Sequence, residues 1–341
     1  MNSIVRISAA VCGALLLAGC YKPDGPASEQ NGICFEAGSM LLRDDAETKG
    51  TKETFGINDN FTVFGERVTS ADVHSLVFDG VTVTKRAAAW EYSTLRFWYW
   101  VSQSDRYDFV AVSPADLGSS NEHALGNLSV STPYNYDNPS GSAPSGGNQQ
   151  DILAATYRRT GNDWAGRYNR VDLSFSHMGS AVSVKIVNNS TSANVTLNYL
   201  QFQNLVVSAN AKVSLDNYGR SVLRWANPTP SSAYVRKLSP QIVVTPGGHD
   251  WTSDFQIMIP QSLTLYAPKL WLNYTVGETT KTTDIPLNGI ERADGTAINS
   301  WEIGYKYTYI ISMRVDGGLL VTVTTTPWDE PVQGETPGIL I

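Results

Sequence analysis

Along most of its length the chain alternates apolar and polar residues with a period of two, and this pattern limits its fold more than any other feature. In the stretch from Tyr305 to Ser312, Tyr305, Tyr307, Tyr309 and Ile311 fall on one face, and Lys306, Thr308, Ile310 and Ser312 on the other. Other runs alternate in the same way or are short β-branched segments bounded by Gly, Pro, Asn or Asp. They are Phe61 to Phe64, Leu76 to Thr84, Leu95 to Val101, Tyr107 to Val112, Val182 to Val187, Leu205 to Leu215, Gln241 to Thr245, Phe255 to Ile259, Lys269 to Val276, Tyr305 to Val315 and Leu319 to Thr325. Long helical stretches are absent from the pattern. Many short strands with turn chemistry between them imply antiparallel β-sandwiches.

Composition supports this reading and excludes several functions. Charged residues make up only 17% of the chain, whereas Tyr, Trp and Thr are plentiful, as sheet surfaces require. A net charge of −7 with scattered Lys and Arg argues against nucleic acid as a partner. The histidines His74, His123, His177 and His249 show no H-E-x-x-H spacing, and no C-x-x-C suggests a zinc site. His177, at the end of an alternating run, reads as a structural residue. No nucleophile elbow, P-loop or EF-hand loop is present, and "INDNF" (57 to 61) reads as a turn because the calcium-loop glycine and glutamate are missing. Adjacent acids such as Asp44-Asp45 and Asp329-Glu330 point to opposite faces of a strand and make poor acid–base pairs. No catalytic residue, metal ligand or cofactor is assigned.

The N-terminus carries a different message. Arg6, the apolar run Ile7 to Leu17 and the small Ala18-Gly19 form the three parts of a secretory signal, too short to span a bilayer comfortably. It ends on a lone cysteine, in "LAGC" (17 to 20), and this resembles a bacterial lipobox. The resemblance implies cleavage before Cys20 and acylation of that residue, so that the chain is anchored to a membrane without spanning it. Residues 1–19 are then the signal and 20–34 a lipid-anchored linker. Cys34 is the only other cysteine after the cut and gives no intrachain disulfide framework.

A chain of this length exceeds one ordinary core, so two domains are expected. Two stretches break the strand rhythm. "PYNYDNPSGSAPSGGNQ" (133 to 149) reads as a long exposed loop, and "RRTGNDWAGRYN" (158 to 169) as a polar connection. The boundary is placed at Asn169, giving domains 35–169 and 170–331, with a tail at 332–341.

Three stretches carry a resemblance to a known family: "TKGTKETFGINDNFTVFG" (48 to 65), "VDLSFSHMGSAVSVKIVN" (171 to 188) and "WEIGYKYTYIISMRVDGGLLVTVTTTPWDE" (301 to 330). In this order, behind a lipobox, they resemble the fimbrillins, the type V pilins of Bacteroidales. The resemblance implies two transthyretin-like sandwiches in tandem and a structural subunit of a surface fimbria that supports adhesion and biofilm formation. It further implies an outer-membrane lipoprotein precursor and other pilin subunits as partners. A trypsin-like protease would remove the N-terminal segment with its strand, and another subunit's strand would fill the vacated groove. Ile33 to Leu42, with Ile33, Phe35 and Ala37 on one face, suits the first strand. Arg43, Lys49 and Lys52 are the candidate cut sites: Asp44 and Asp45 follow Arg43, while Lys49-Gly50 aligns better with the family but has lysine where arginine is expected. Candidate donor residues are Leu319, Val321 and Val323, or Ile339, Leu340 and Ile341.

The aromatic run 87 to 101 supplies a rival reading. Trp90, Tyr92, Trp98, Tyr99 and Trp100 would form a stacking platform for sugars in a glycan-binding surface lipoprotein or a tip adhesin that binds host or bacterial surface groups, if they lay exposed. A hydrolase would need a convergent polar site that the sequence does not show.

Overall fold

The computed structural model describes residues 32–39, 55–87, 89–92, 100–102, 104–121, 128–135, 151–160, 170–314 and 318–328. These residues form three β-sheets. The first runs in the order β1 (Cys34–Ser39), β9 (Arg170–His177), β8 (Leu153–Arg159), β5 (Arg106–Ser113), β2 (Asn60–Val68), β3 (His74–Lys85), β4 (Trp90–Tyr92). The second contains β13 (His249–Thr252), β10 (Ser180–Asn188), β17 (Tyr305–Met313) and β18 (Leu319–Pro327), with β14 (Gln256–Met258) also on β10. The third runs β16 (Thr279–Pro286), β15 (Lys269–Val276), β11 (Val195–Leu215), β7 (Ser129–Asn135), β6 (Ser120–Asn121), with β12 (Ser221–Val244) along β11.

Period-two alternation places these strands correctly where one face is buried. In β17 the inward Tyr307, Tyr309 and Ile311 are buried, while Lys306, Thr308 and Ile310 are half-buried. By contrast, β5 is buried along nearly its whole length because the first sheet has an apolar core on each face. One face packs Phe61, Phe78, Phe109, Leu173 and Phe175 together. The other packs Phe64, Val110 and Val112 against Val206, Ala209, Ala211 and Val213 of β11.

The third sheet is therefore shared. The other half of β11, through Leu197, Leu200 and Phe202, packs with Val182, Val184, Tyr307 and Tyr309 of the second sheet. The β11–β12 hairpin bridges both regions. Its turn is set by Asp216, whose carboxylate accepts the N–H groups of Tyr218 and Arg220 at 2.8 and 2.9 Å. Those bonds, that of Arg220 foremost, hold the carboxyl below the usual range. The turn docks on the first sheet. Arg158 Nη1 donates to the Asn217 carbonyl at 2.9 Å, and at Gly219 (φ 83°) a Cβ would lie 2.8 Å from Arg158 Cδ.

Several details differ from the sequence reading. Strand β9 begins at Arg170, where a boundary was expected, yet it pairs with β8 and β1 of the first sheet. The chain changes sheet at Met178-Gly179. Two pairings, β1 with β9 and β10 with β17, are parallel, which requires the long connections between them. Pro133-Tyr134-Asn135 belong to β7 rather than to a loop, and Tyr134 is buried; residues 136–150 lie outside the described residues. The polar stretch after 158 hides a buried Arg159, whose guanidinium carbon lies 4.6 Å from the Trp100 ring. Trp100 and Val101 are not in a strand. "INDNF" contains a turn with Asn58 at φ 73°, closed by Gly56 N–H donating to Asp59 at 2.5 Å.

Candidate assembly site

Strand β1 forms one end of the first sheet. It pairs in parallel with β9 from Cys34 opposite Arg170 to Ser39 opposite Phe175. On the far side the sheet curls until its two ends meet, with the Phe35 ring 6.0 Å from that of Tyr92 in β4. Phe35 is the plug of this seam. Its ring also meets those of Phe61 (5.9 Å), Phe78 (5.3 Å) and Phe109 (5.9 Å), all edge to face. Ile33 is buried beside it, and Ala37 packs at the margin of the same core. The alternate residues Cys34 and Glu36 are half-exposed, as a strand buried on one face requires. Burial raises the Tyr92 hydroxyl above its ordinary range.

A second cluster sits where the chain changes sheet. His177 ends β9 with its Nδ1 2.7 Å from Asp151 Oδ2, both side chains buried. The Trp328 indole stacks on the imidazole, centroids 4.1 Å apart and planes 8° from parallel. Small residues follow for a steric reason: a Cβ on Gly179 would lie 2.8 Å from Ile257 Cγ2. Several backbone groups here are engaged. Trp225 Nε1 donates to Met178 O (2.7 Å), Gly304 N to Gly179 O (2.9 Å) and Trp328 N to Gly304 O (2.6 Å). Trp328 Nε1 itself has no hydrogen-bond partner among the described residues, so stacking and burial hold the ring. The histidine segment and the closing tryptophan of the chain thus meet in one place. Asp151 and the His177–Trp328 stack were not legible beforehand, since the residues are far apart in sequence and a lone histidine names no partner.

The β17–β18 hairpin forms one edge of the second sheet, paired from Tyr305 opposite Pro327 to Met313 opposite Leu319. Tyr307 and Tyr309 are core residues, whereas Tyr305, on the same face by alternation, is exposed at the strand's end. Trp301 Nε1 donates to Tyr309 Oη at 3.0 Å, and Tyr309 Oη donates to Leu287 O at 3.3 Å. Burial holds the Tyr309 hydroxyl well above its ordinary range. It pushes Tyr307 up to about 12, although the Glu302 N–H donated to Tyr307 Oη opposes the rise.

Among the residues singled out by sequence, Leu319, Val321 and Val323 lie in β18, with Val323 buried against the core. Cys20, Arg43, Lys49, Lys52, Ile339, Leu340 and Ile341 lie outside the described residues. Trp90 and Trp100 are buried and Tyr92 contacts Phe35 and Phe78, so these three are core residues and not a sugar platform; Trp98 and Tyr99 lie outside the described residues. Cys34 is disulfide-bonded, its partner lying outside the described residues, which corrects the expectation that it has none. Among the described residues, no group of three or more His, Cys, Asp or Glu side chains is arranged to hold a metal ion. No helix there is long and apolar enough to cross a membrane.

A family model described as fimbrillin-like matches residues 48–328, and the chain belongs to that family. Membership places it among fimbrial and adhesion proteins of the cell surface, a structural class rather than a catalytic one. A search among curated proteins finds no match. Solved structures similar to the chain include a candidate cell adhesion protein of Bacteroides uniformis, 16% identical over 89% of this chain and 100% of that one, with a TM-score of 0.47. Another, from Bacteroides ovatus, is 14% identical over 89% and 98%, with a TM-score of 0.47. The fimbrial anchor protein Mfa2 of Porphyromonas gingivalis is 11% identical over 87% and 97%, with a TM-score of 0.31.

Proposed function

We propose that the chain is a subunit of a surface fimbria, exported as a lipoprotein anchored to the outer membrane through Cys20. A trypsin-like protease cuts at Arg43, Lys49 or Lys52, β1 departs with the lipid, and a strand from another subunit takes its place. The fibre so formed supports adhesion and biofilm formation. The observation that carries this reading is the position of β1. It is a six-residue edge strand, its ladder to the rest of the sheet runs to β9 alone, and residues 40–54 with the three basic candidates join it to β2. One cut there would turn an internal strand into a bound peptide.

In this proposal the two tandem sandwiches take β9 into the first, so that they meet at residues 178–179 and share the third sheet. The C-terminal region remains available as donor only in part. Strand β18 is paired along its length with β17, so donating it would break that ladder; the other candidate donor is Ile339-Leu340-Ile341.

The test is digestion of the purified precursor with a trypsin-like protease, followed by N-terminal sequencing and a search for polymers that resist dissociation. The proposal predicts a new N-terminus between residues 44 and 53 and polymers on addition of partner subunits. Cleavage that never yields assembly, with the partner subunits present, contradicts a fibre-forming role. For the anchor, Cys20→Ser should abolish acyl labelling; a retained label refutes it.

A further inference from the structure

We propose that the outer face of the third sheet binds a neutral oligosaccharide, with Trp271 and Tyr199 stacking on its pyranose rings and the amides around them hydrogen-bonding its hydroxyls. The site is on a different sheet from β1 and does not depend on the fimbrial reading.

Alternation settles which residues look outward. In β15, Leu270, Leu272 and Tyr274 are buried in the core shared with the second sheet, so Trp271 and Asn273 stand on the opposite face. In the neighbouring β11, Leu197 and Leu200 are both buried, yet two residues separate them, because the register with β15 shifts between Leu197 and Tyr199. That bulge turns Asn198 and Tyr199 together to the outer face. Tyr199 is opposite Asn273, and its ring lies 6.4 Å from that of Trp271, tilted by 51°. Both rings are half-buried, and neither belongs to an apolar cluster of the described residues.

The amides are held ready. Asn198 Nδ2 donates to Asn273 Oδ1 at 2.8 Å and to Thr275 Oγ1 at 3.1 Å. Gln241 Nε2 of β12 donates to Asn198 Oδ1 at 2.6 Å, and Gln203 Nε2 to Gln201 Oε1 at 3.0 Å. These bonds fix side chains that would otherwise rotate in solvent, so a ligand meets less of the ordering cost. No hydrogen bond within the described residues engages Asn273 Nδ2, Gln201 Nε2, Gln203 Oε1 or Gln241 Oε1, which leaves both donors and acceptors for a ligand. Sugar hydroxyls donate and accept alike, and that mixture suits them. Across β12, β11 and β15 the groups spread over about 10 Å.

Charge selects the class of occupant. Lys269 Nζ and Asp284 Oδ2 close on each other at 2.6 Å, so the described side chains of this face carry no net charge, and the whole chain carries −7. A nucleic acid or an acidic glycan would find no unpaired cation among them. A protein partner would want a larger apolar centre, whereas here two rings stand among amides. The negative face of an aromatic ring attracts the C–H groups of a pyranose, and the surrounding amides meet its hydroxyls.

The test is calorimetric titration of the full chain with cellohexaose, maltohexaose, mannohexaose and xylohexaose, each at low and high salt. At least one should bind, with an affinity that salt leaves unchanged. Trp271→Ala should weaken that binding at least about tenfold, and Asn273→Ala about threefold, whereas Trp271→Phe, which keeps a ring, should lose less than about threefold. Circular dichroism melts show which variants keep the fold. Failure of all four probes to bind overturns the proposal, as does binding that falls with salt or that a folded Trp271→Ala leaves intact. Should Trp271→Ala not fold, Tyr199→Ala and Asn273→Ala decide instead: weakened binding in both supports the site, and unchanged binding in either overturns it.

Discussion

Strands β1 and β18 both lie at a sheet edge, yet they are attached by opposite means. Strand β18 follows β17 through a short connection and pairs antiparallel with it over nine positions, so chain connectivity and the ladder act together. Along it only Val323 is fully buried. Strand β1 pairs in parallel, over six positions, with a strand more than a hundred residues away in the chain. Its hold is through side chains, chiefly Phe35 and Ile33 in the aromatic seam. The difference teaches that cutting the chain between β1 and β2 removes its tether to the strands that follow and leaves a plug held by apolar contact and its ladder to β9. No comparable single cut frees β18 without also breaking its hairpin.

The largest expected effect follows from the plug. Phe35→Ala should destabilise the protein by about 3–5 kcal/mol, read by denaturant unfolding. Val323→Ala in β18 should cost about 2 kcal/mol or less, as loss of one buried valine side chain. Equal losses would show that the two edges are held alike.

The next effect tests the place where the two regions join. Trp328→Ala should cost about 3 kcal/mol or more through lost burial and stacking on His177. Trp328→Phe should retain most of the stability, because the indole N–H makes no hydrogen bond among the described residues. A thermal melt of the two variants decides the point; a Phe variant as unstable as the Ala one would mean that the N–H matters.

The smallest effect is confined to the β17 side. Tyr307 titrates in the fold at about 12 against an ordinary 10.0, so its neutral form is favoured by folding. The associated stability is complete below about pH 10 and is lost as pH rises towards 12. Alkaline unfolding followed by tyrosinate absorbance should start above pH 10, and Tyr307→Phe should move it upward. An unchanged midpoint would place the alkaline weakness elsewhere, for example at Tyr92 beside the β1 seam.

Legibility from sequence followed the same divide. Strands β15 and β17 could be read because one face is buried and the period is two. The β17–β18 hairpin could be read as well, since the two strands are neighbours in sequence. The inward face of β1 was readable from Ile33, Phe35 and Ala37, but its socket was not, because Phe61, Phe78, Tyr92 and Phe109 converge only when the sheet curls. Parallel pairing leaves no local signature, so the ladder of β9 to β1 could not be read from the sequence. Arg159 misled for a simpler reason: a buried guanidinium under a tryptophan looks, in sequence, like part of a polar loop.

Hydrogen exchange on the nicked full chain tests the central claim most directly. With the chain cut between residues 43 and 53 and the Phe35-containing peptide of residues 31–42 in excess, the account predicts that amides of residues 34–39 exchange in step with peptide turnover. Those of Tyr305–Met313 and Leu319–Pro327 should keep the protection they have in the uncut protein. Protection of β1 unchanged by the cut, with β18 the first strand to open, would contradict it.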